Sequence, residues 1–381
     1  MIIRDIELTR AGSLWRVSAR FQSECGRTRD RVLYVETDRE GLLAADANGC
    51  LLAAFLPAWA AGETRVRVDG EVCPLLAENL RIAASVFGHW YRDFGPAPVI
   101  EAAGYRKAAP QERSGAFLSA GIDSMYTLHE LTRRLPPSSQ GRPRAGLLID
   151  YRGTSIDAQE AEARFEERRR RCERMLASKG LEFDWLRTDL RALRPDGRFW
   201  TRRYHGAMLA ALAHFASARY GRLYIASSVY HNLAEPWGSH PITDPLFSSL
   251  HMAISNHGAE ATKADKVAAL TGWPEGLRQV HVCVNKQAGG RNCGRCRKCQ
   301  IVKLYLKAFG ADHALAAFDH PEVTAADVAA LDAGSGWIRV QSLEILQRAR
   351  SAGIEDEIFR VLEARTRHRP LHRRLARWLG R

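Results

Sequence analysis

The chain has 381 residues, is 46% hydrophobic and 26% charged, and carries a formal net charge of +13. That leaves room for two domains with an ordinary apolar core. No apolar run is long enough to cross a bilayer, and MIIRDIELTR carries charge where a signal peptide needs its apolar stretch, so a cytoplasmic protein is expected. The arginine-rich excess is spread along the sequence, which admits polyanion binding without localising it.

Residues 1–110 read as a smaller α+β unit. Ile2–Thr9, Trp15–Phe21 and Val32–Glu36 have strand character, and Leu51–Ala61 reads as a helix despite Pro57. Thr64–Val68 alternates like a strand and runs into Asp69-Gly70, a hairpin signal. Pro74–Trp90 places Leu76, Leu80, Ala83, Phe87 and Trp90 on one helical side. Cys25, Cys50 and Cys73 lack metal-ligand spacing and are expected to be buried thiols. A scaffold, homodimerisation or recognition role suits this unit.

Residues 111–310 alternate strand and helix. Gly115–Leu118 fits a buried strand, and Met125–Leu135 is helix-periodic. Between them lies Ser119-Ala120-Gly121-Ile122-Asp123-Ser124, a turn that would aim the free N–H groups of a helix start, with two hydroxyls, at one spot suited to phosphate. Asp123 would repel a bare phosphate and makes sense with magnesium between them. Ala145–Tyr151, Phe183–Thr188 and Arg222–Ser228 continue as strands, with helices at Asp157–Lys179 and Tyr204–Ala218. The pattern predicts a doubly wound parallel sheet whose ligand sits beyond the strands' carboxyl ends. No Gly-x-x-x-x-Gly-Lys-Ser/Thr and no Gly-x-Gly-x-x-Gly motif follows any strand, which disfavours kinases, GTPases and dinucleotide enzymes.

After the fourth strand, Tyr230–Ser249 holds three prolines and a glycine, so it reads as an ordered loop on the ligand face. Trp237 supplies an apolar wall there. His231, Ser239, His240 and Asp244 are candidates for orienting substrate or moving a proton, the alternative being a packed lid. Cys283, Cys293, Cys296 and Cys299 then give C-x9-C-x2-C-x2-C among glycines and basic residues. Four thiolates so spaced suit a tetrahedral zinc knuckle, with an iron–sulfur cluster as the competitor. Residues 311–381 read as a helical extension, Val323–Ala333, Ile338–Ala352 and Glu355–Ala364, ending in a basic amphipathic tail with seven arginines and no acid from Arg365 to Arg381.

The Ser119–Ser124 run resembles the PP-loop, Ser-Gly-Gly-x-Asp-Ser, of the N-type ATP pyrophosphatases, with Ala120 in place of a glycine. Combined with the downstream cysteine knuckle, residues 113–310 resemble the 7-cyano-7-deazaguanine (preQ0) synthase-like proteins. The resemblance implies a sheet of the HUP type, with ATP and pyrophosphate held by Ser119, Ala120, Gly121, Ile122, Asp123 and Ser124. Asp150 and Tyr151 are implied beside adenine and ribose. ATP, magnesium and zinc are the implied cofactors, and a small carboxylate the implied substrate, adenylated and passed to ammonia or an amine by an ATP-dependent carbon–nitrogen ligase. Asp123, Ser124 and His240 are the expected catalytic residues. A nucleic-acid or protein acceptor, a tRNA thiolation or lysidine-type reaction, and a decayed ATP-binding scaffold in a bacterial antiviral system are the alternatives. If position 120 needs positive φ, alanine there costs about 1 kcal/mol or more.

Overall fold

The computed structural model describes residues 1–152, 157–228, 235–285, 289–334 and 336–367. In chain order its main elements are β1 (Ile2–Ala11), β2 (Leu14–Gln22), β3 (Arg31–Thr37), α1 (Ala47–Ala61), β4 (Arg65–Val72), α2 (Pro74–Trp90), β5 (Val99–Tyr105), β6 (Ser114–Phe117), α3 (Ile122–Arg134) and β7 (Pro143–Tyr151). They continue as α4 (Ala158–Ala177), β8 (Glu182–Thr188), α5 (His205–Phe215), β9 (Arg222–Ala226), β10 (Ala253–His257), α6 (Lys263–Leu270), α7 (Arg297–Ala308), α8 (Gly336–Ser351) and α9 (Glu357–Arg367). The basic tail beyond Arg367 and the start of the Tyr230–Ser249 loop, with His231, lie outside the described residues.

Among the described residues all the strands join one sheet in the order β10-β9-β6-β7-β8-β3-β2-β1-β4-β5. Pairing is parallel except where β8 meets β3, β3 meets β2 and β2 meets β1. The protein is therefore α/β with a mostly parallel sheet, and the N-terminal strands extend that sheet instead of forming one of their own. The seam is short: Val35 faces Thr188 and Glu36 faces Arg187. Two side chains lengthen it, with the Tyr34 N–H donating to Asp189 Oδ1 at 2.8 Å and Thr188 Oγ1 donating to the Tyr34 carbonyl at 2.7 Å.

Because side chains alternate along a strand, each central strand feeds two cores. Phe117, Leu147, Ile149, Leu223 and Ile225 point into one, which also holds α1, part of α2 and α5. Ala116, Leu118, Leu148 and Tyr224 point into the other, against α3, α4 and α6 to α9. Helix α1 is apolar all round and almost wholly buried, as a helix between a sheet and another helix must be. Asp46 caps its first turn, accepting from the Asn48 N–H.

Two expectations for the first unit need correction, and one strand is added to it. Asp69-Gly70 makes no hairpin: β4 runs on to Val72 and pairs in parallel with both β1 and β5, with an irregularity between Val68 and Glu71. A Cβ on Gly70 would lie 2.9 Å from that of Ala47, so the glycine serves close approach of α1. Strand β5, unforeseen, forms the outer edge. Cys50 and Cys73 are buried, whereas Cys25 is exposed, its thiol donating to Glu63 Oε1 at 3.2 Å.

Candidate functional site

Strand β6 lies between β7 and β9, and the chain leaves it toward β7 on one side while β9 returns on the other. That reversal opens a crevice at the carboxyl ends of β6 and β9, the place where α/β sheets bind ligands. The Ser119–Ser124 turn occupies it. Ala120 sits in the left-handed region at φ 61° and is nearly inaccessible to solvent. The bend that a glycine would make freely is thus made by an alanine, which costs about 1–2 kcal/mol.

Gly121 is the N-cap residue of α3 and offers no side-chain cap. The serines instead close the turn upon itself: the two Oγ atoms are 3.2 Å apart, Ser124 Oγ donates to the Gly121 carbonyl at 3.0 Å, and the Ser119 N–H donates to Ser124 Oγ at 3.2 Å. The first-turn N–H groups of a thirteen-residue helix are left without a side-chain acceptor, and with the helix dipole they favour an anion.

Two lysines from α6 complete this corner. Lys263 Nζ reaches both Asp123 oxygens at 2.7 Å, and Lys266 Nζ reaches Asp123 Oδ1 at 2.9 Å and the Ser227 carbonyl at 2.6 Å. Burial would raise the Asp123 carboxyl, but the two ammonium groups outweigh it and hold it down at about 2. Lys266 is shielded from solvent, and burial pulls its ammonium below the usual range. Two positive charges against one negative leave the corner net cationic beside the helix start. Neither lysine was singled out from sequence. The signal was present: Thr262 and Asp265 form a capping box, and Lys263 and Lys266 stand three apart on the helix it starts.

The turn faces a cavity of about 1270 Å³ that reaches from Ser119, Asp123 and Lys263 to Asp150 and Tyr151, and on to Arg164, Trp237, Cys283 and Trp337. Asp150 is not free within it, since Oδ2 accepts from Arg152 Nε at 2.6 Å and Arg187 Nε at 2.8 Å. The Tyr151 ring stands edge-on to Trp200 with centroids 5.0 Å apart. Trp237 lines the cavity as expected, but Ser239, His240 and Asp244 are absent from its wall. They form a buried polar knot instead. Asp244 Oδ2 accepts from Ser239 Oγ at 2.6 Å and Asn256 Nδ2 at 2.8 Å, while Oδ1 accepts from the His240 N–H at 3.1 Å. The His240 ring packs edge-on to Trp90, with centroids 5.0 Å apart. Burial raises the Asp244 carboxyl to about 6 against those donors. All three are buried, in contact with one another, Asn256 and Trp90.

Cys283, Cys293, Cys296 and Cys299 bring their sulfurs within 4.8 Å of one another. Thiolates about 2.3 Å from a tetrahedral zinc stand about 3.8 Å apart, so the set fits that ion. A four-iron cubane fills the centre itself and needs its sulfurs roughly 6 Å apart. Cys296 is the N-cap residue of α7, and the Cys299 thiol, 3.4 Å away, holds Cys296 down at about 4 against burial. Gly294 permits the tight turn: it has φ 72°, and a Cβ there would meet the His320 carbonyl oxygen at 2.4 Å. Cys283 also lines the cavity, so the knuckle forms part of its wall.

No protein-family model, no curated protein and no solved structure matches the chain. Among the described residues no helix is long and apolar enough to cross a membrane.

Proposed function

We propose that the chain is an AMP-forming, ATP-dependent ligase of the PP-loop type, with a sheet of the HUP class and a zinc knuckle, and that its substrate is a small carboxylate. The reading rests on the Ser119–Ser124 turn, which joins a left-handed residue, an uncapped helix start and two lysines at the switch point of a parallel sheet. In this reading Ser119, Ser124, the α3 N–H groups, Lys263 and Lys266 receive the β- and γ-phosphates. Asp123 would hold magnesium, which would offset phosphate charge. The substrate carboxylate oxygen attacks the α-phosphorus as the bond to pyrophosphate breaks; ammonia or an amine then attacks the acyl carbon and AMP leaves. Positioning and charge neutralisation carry such a transfer without a protein nucleophile.

The room beyond Asp150 and Tyr151, walled by Arg164, Arg168 and Trp237, is where the acid would lie. A deazapurine-type acid is one candidate. A second reading, nucleotide binding without turnover, draws on the strained Ala120 and on an Asp123 carboxylate already engaged by two ammonium groups. Mass spectrometry of protein incubated with ATP, magnesium and a small-molecule extract separates the two. AMP with pyrophosphate supports the ligase; unchanged ATP that co-purifies with the protein supports the second reading; ADP with phosphate contradicts both.

A further inference from the structure

We infer that the cysteine knuckle holds the phosphate turn in its working shape through Asn292 and His281, so that metal occupancy sets the turn's affinity for its ligand. The ligand's identity rests on the nucleotide reading above; the mechanical coupling does not.

The chain of contacts starts at the sulfurs. Cys283 and Cys293 approach the metal position from two separate segments, and Asn292, wholly buried, stitches these together. Its Oδ1 accepts from the Val282 N–H at 2.9 Å and the Cys283 N–H at 3.2 Å. Its Nδ2 donates to the Val280 carbonyl at 2.8 Å and the Ala317 carbonyl at 3.0 Å. One amide therefore fixes the backbone on both sides of His281. The His281 N–H, held in this way, donates to the Ala120 carbonyl at 2.8 Å.

Ala120 is the residue that needs holding. Among the described residues, only Asp5 is a second non-glycine with positive φ, and it lies far away in β1. An alanine left to itself leaves the left-handed region, and a strained residue persists only where its surroundings over-determine it. The contact from His281 is part of that determination. Without metal, nothing ties the four sulfurs to a common centre, and the two cysteine segments are free to part. Asn292 then loses its geometry, the His281 N–H is released, and Ala120 relaxes. Residues 121–124 follow, and the helix start no longer faces the phosphate position. Asn292 and His281 are positioning residues on this account, and glycine at position 120 makes them dispensable.

The test compares the full chain with its Ala120→Gly variant, each loaded with zinc or stripped by chelator, by calorimetric titration with MgATP. The wild type should lose about five- to tenfold in affinity when stripped, the worth of one left-handed alanine, and Ala120→Gly less than about twofold. Equal losses in the two proteins, or no loss in the wild type, overturn the coupling. No binding by the zinc-loaded wild type overturns the nucleotide reading instead. In that case hydrogen exchange at the His281 amide, measured without nucleotide, still decides the coupling: faster exchange after zinc removal in the wild type supports it, and unchanged exchange refutes it.

Discussion

Lys266 Nζ lies 2.9 Å from Asp123 Oδ1, although the lysine side chain is wholly shielded from solvent. Neither charge belongs there alone: each is kept by the other, and Lys263 adds to the hold on Asp123 while its like charge works against Lys266. The folded-state value of Asp123, about 2, is below the roughly 4 of an unfolded aspartate. Its contribution to stability is therefore complete above about pH 4 and is lost as pH falls toward 2. Asp123→Asn should lower stability at neutral pH by about 2–4 kcal/mol and flatten the acid limb of Tm against pH below 4. An unchanged acid limb would show that the pair is not formed in solution.

The Ala120→Gly variant should be more stable than the wild type. Relief of about 1–2 kcal/mol of left-handed strain exceeds the 0.4–1 kcal/mol of extra unfolded-chain entropy that glycine brings, so a net gain of roughly 0.5–1 kcal/mol is expected in denaturant melts. A loss of stability would mean that the turn takes another conformation.

His240→Ala should cost roughly 2–4 kcal/mol, because the ring is fully buried against Trp90 and accepts from the Ile242 N–H at 3.1 Å. Affinity for MgATP should not change. A variant as stable as the wild type that fails in turnover would return His240 to the chemistry.

Those residues mark where sequence reading stops. Ser119–Ser124 and the four cysteines are local patterns, each carrying its own geometry, and both were legible. His240 and Asp244 lie in a loop whose polar side chains look alike whether they face a cavity or a buried knot, and only tertiary packing decides. β10 went unread because Ala253–His257 is short and polar at the sheet edge, with Ile254 its one buried residue. Helix α6 went unread with it, and so did the lysines. At Gly70 the hairpin signal was overruled by α1, which needs the space a Cβ would take.

Metal analysis should find one zinc per chain. Cys296→Ser should lower zinc content and Tm together, whereas Cys172→Ser, a buried thiol outside the cluster, should leave zinc content unchanged. Cys296→Ser with full zinc would contradict the knuckle.

The most direct test of the account is a calorimetric titration of the zinc-loaded protein with MgATP, beside Lys263→Ala. Lys263 donates to both oxygens of Asp123 at the mouth of the turn, so the account predicts a single site that this variant weakens at least about tenfold. Absence of binding, or equal affinity in the two proteins, would contradict a phosphate site at Ser119–Ser124.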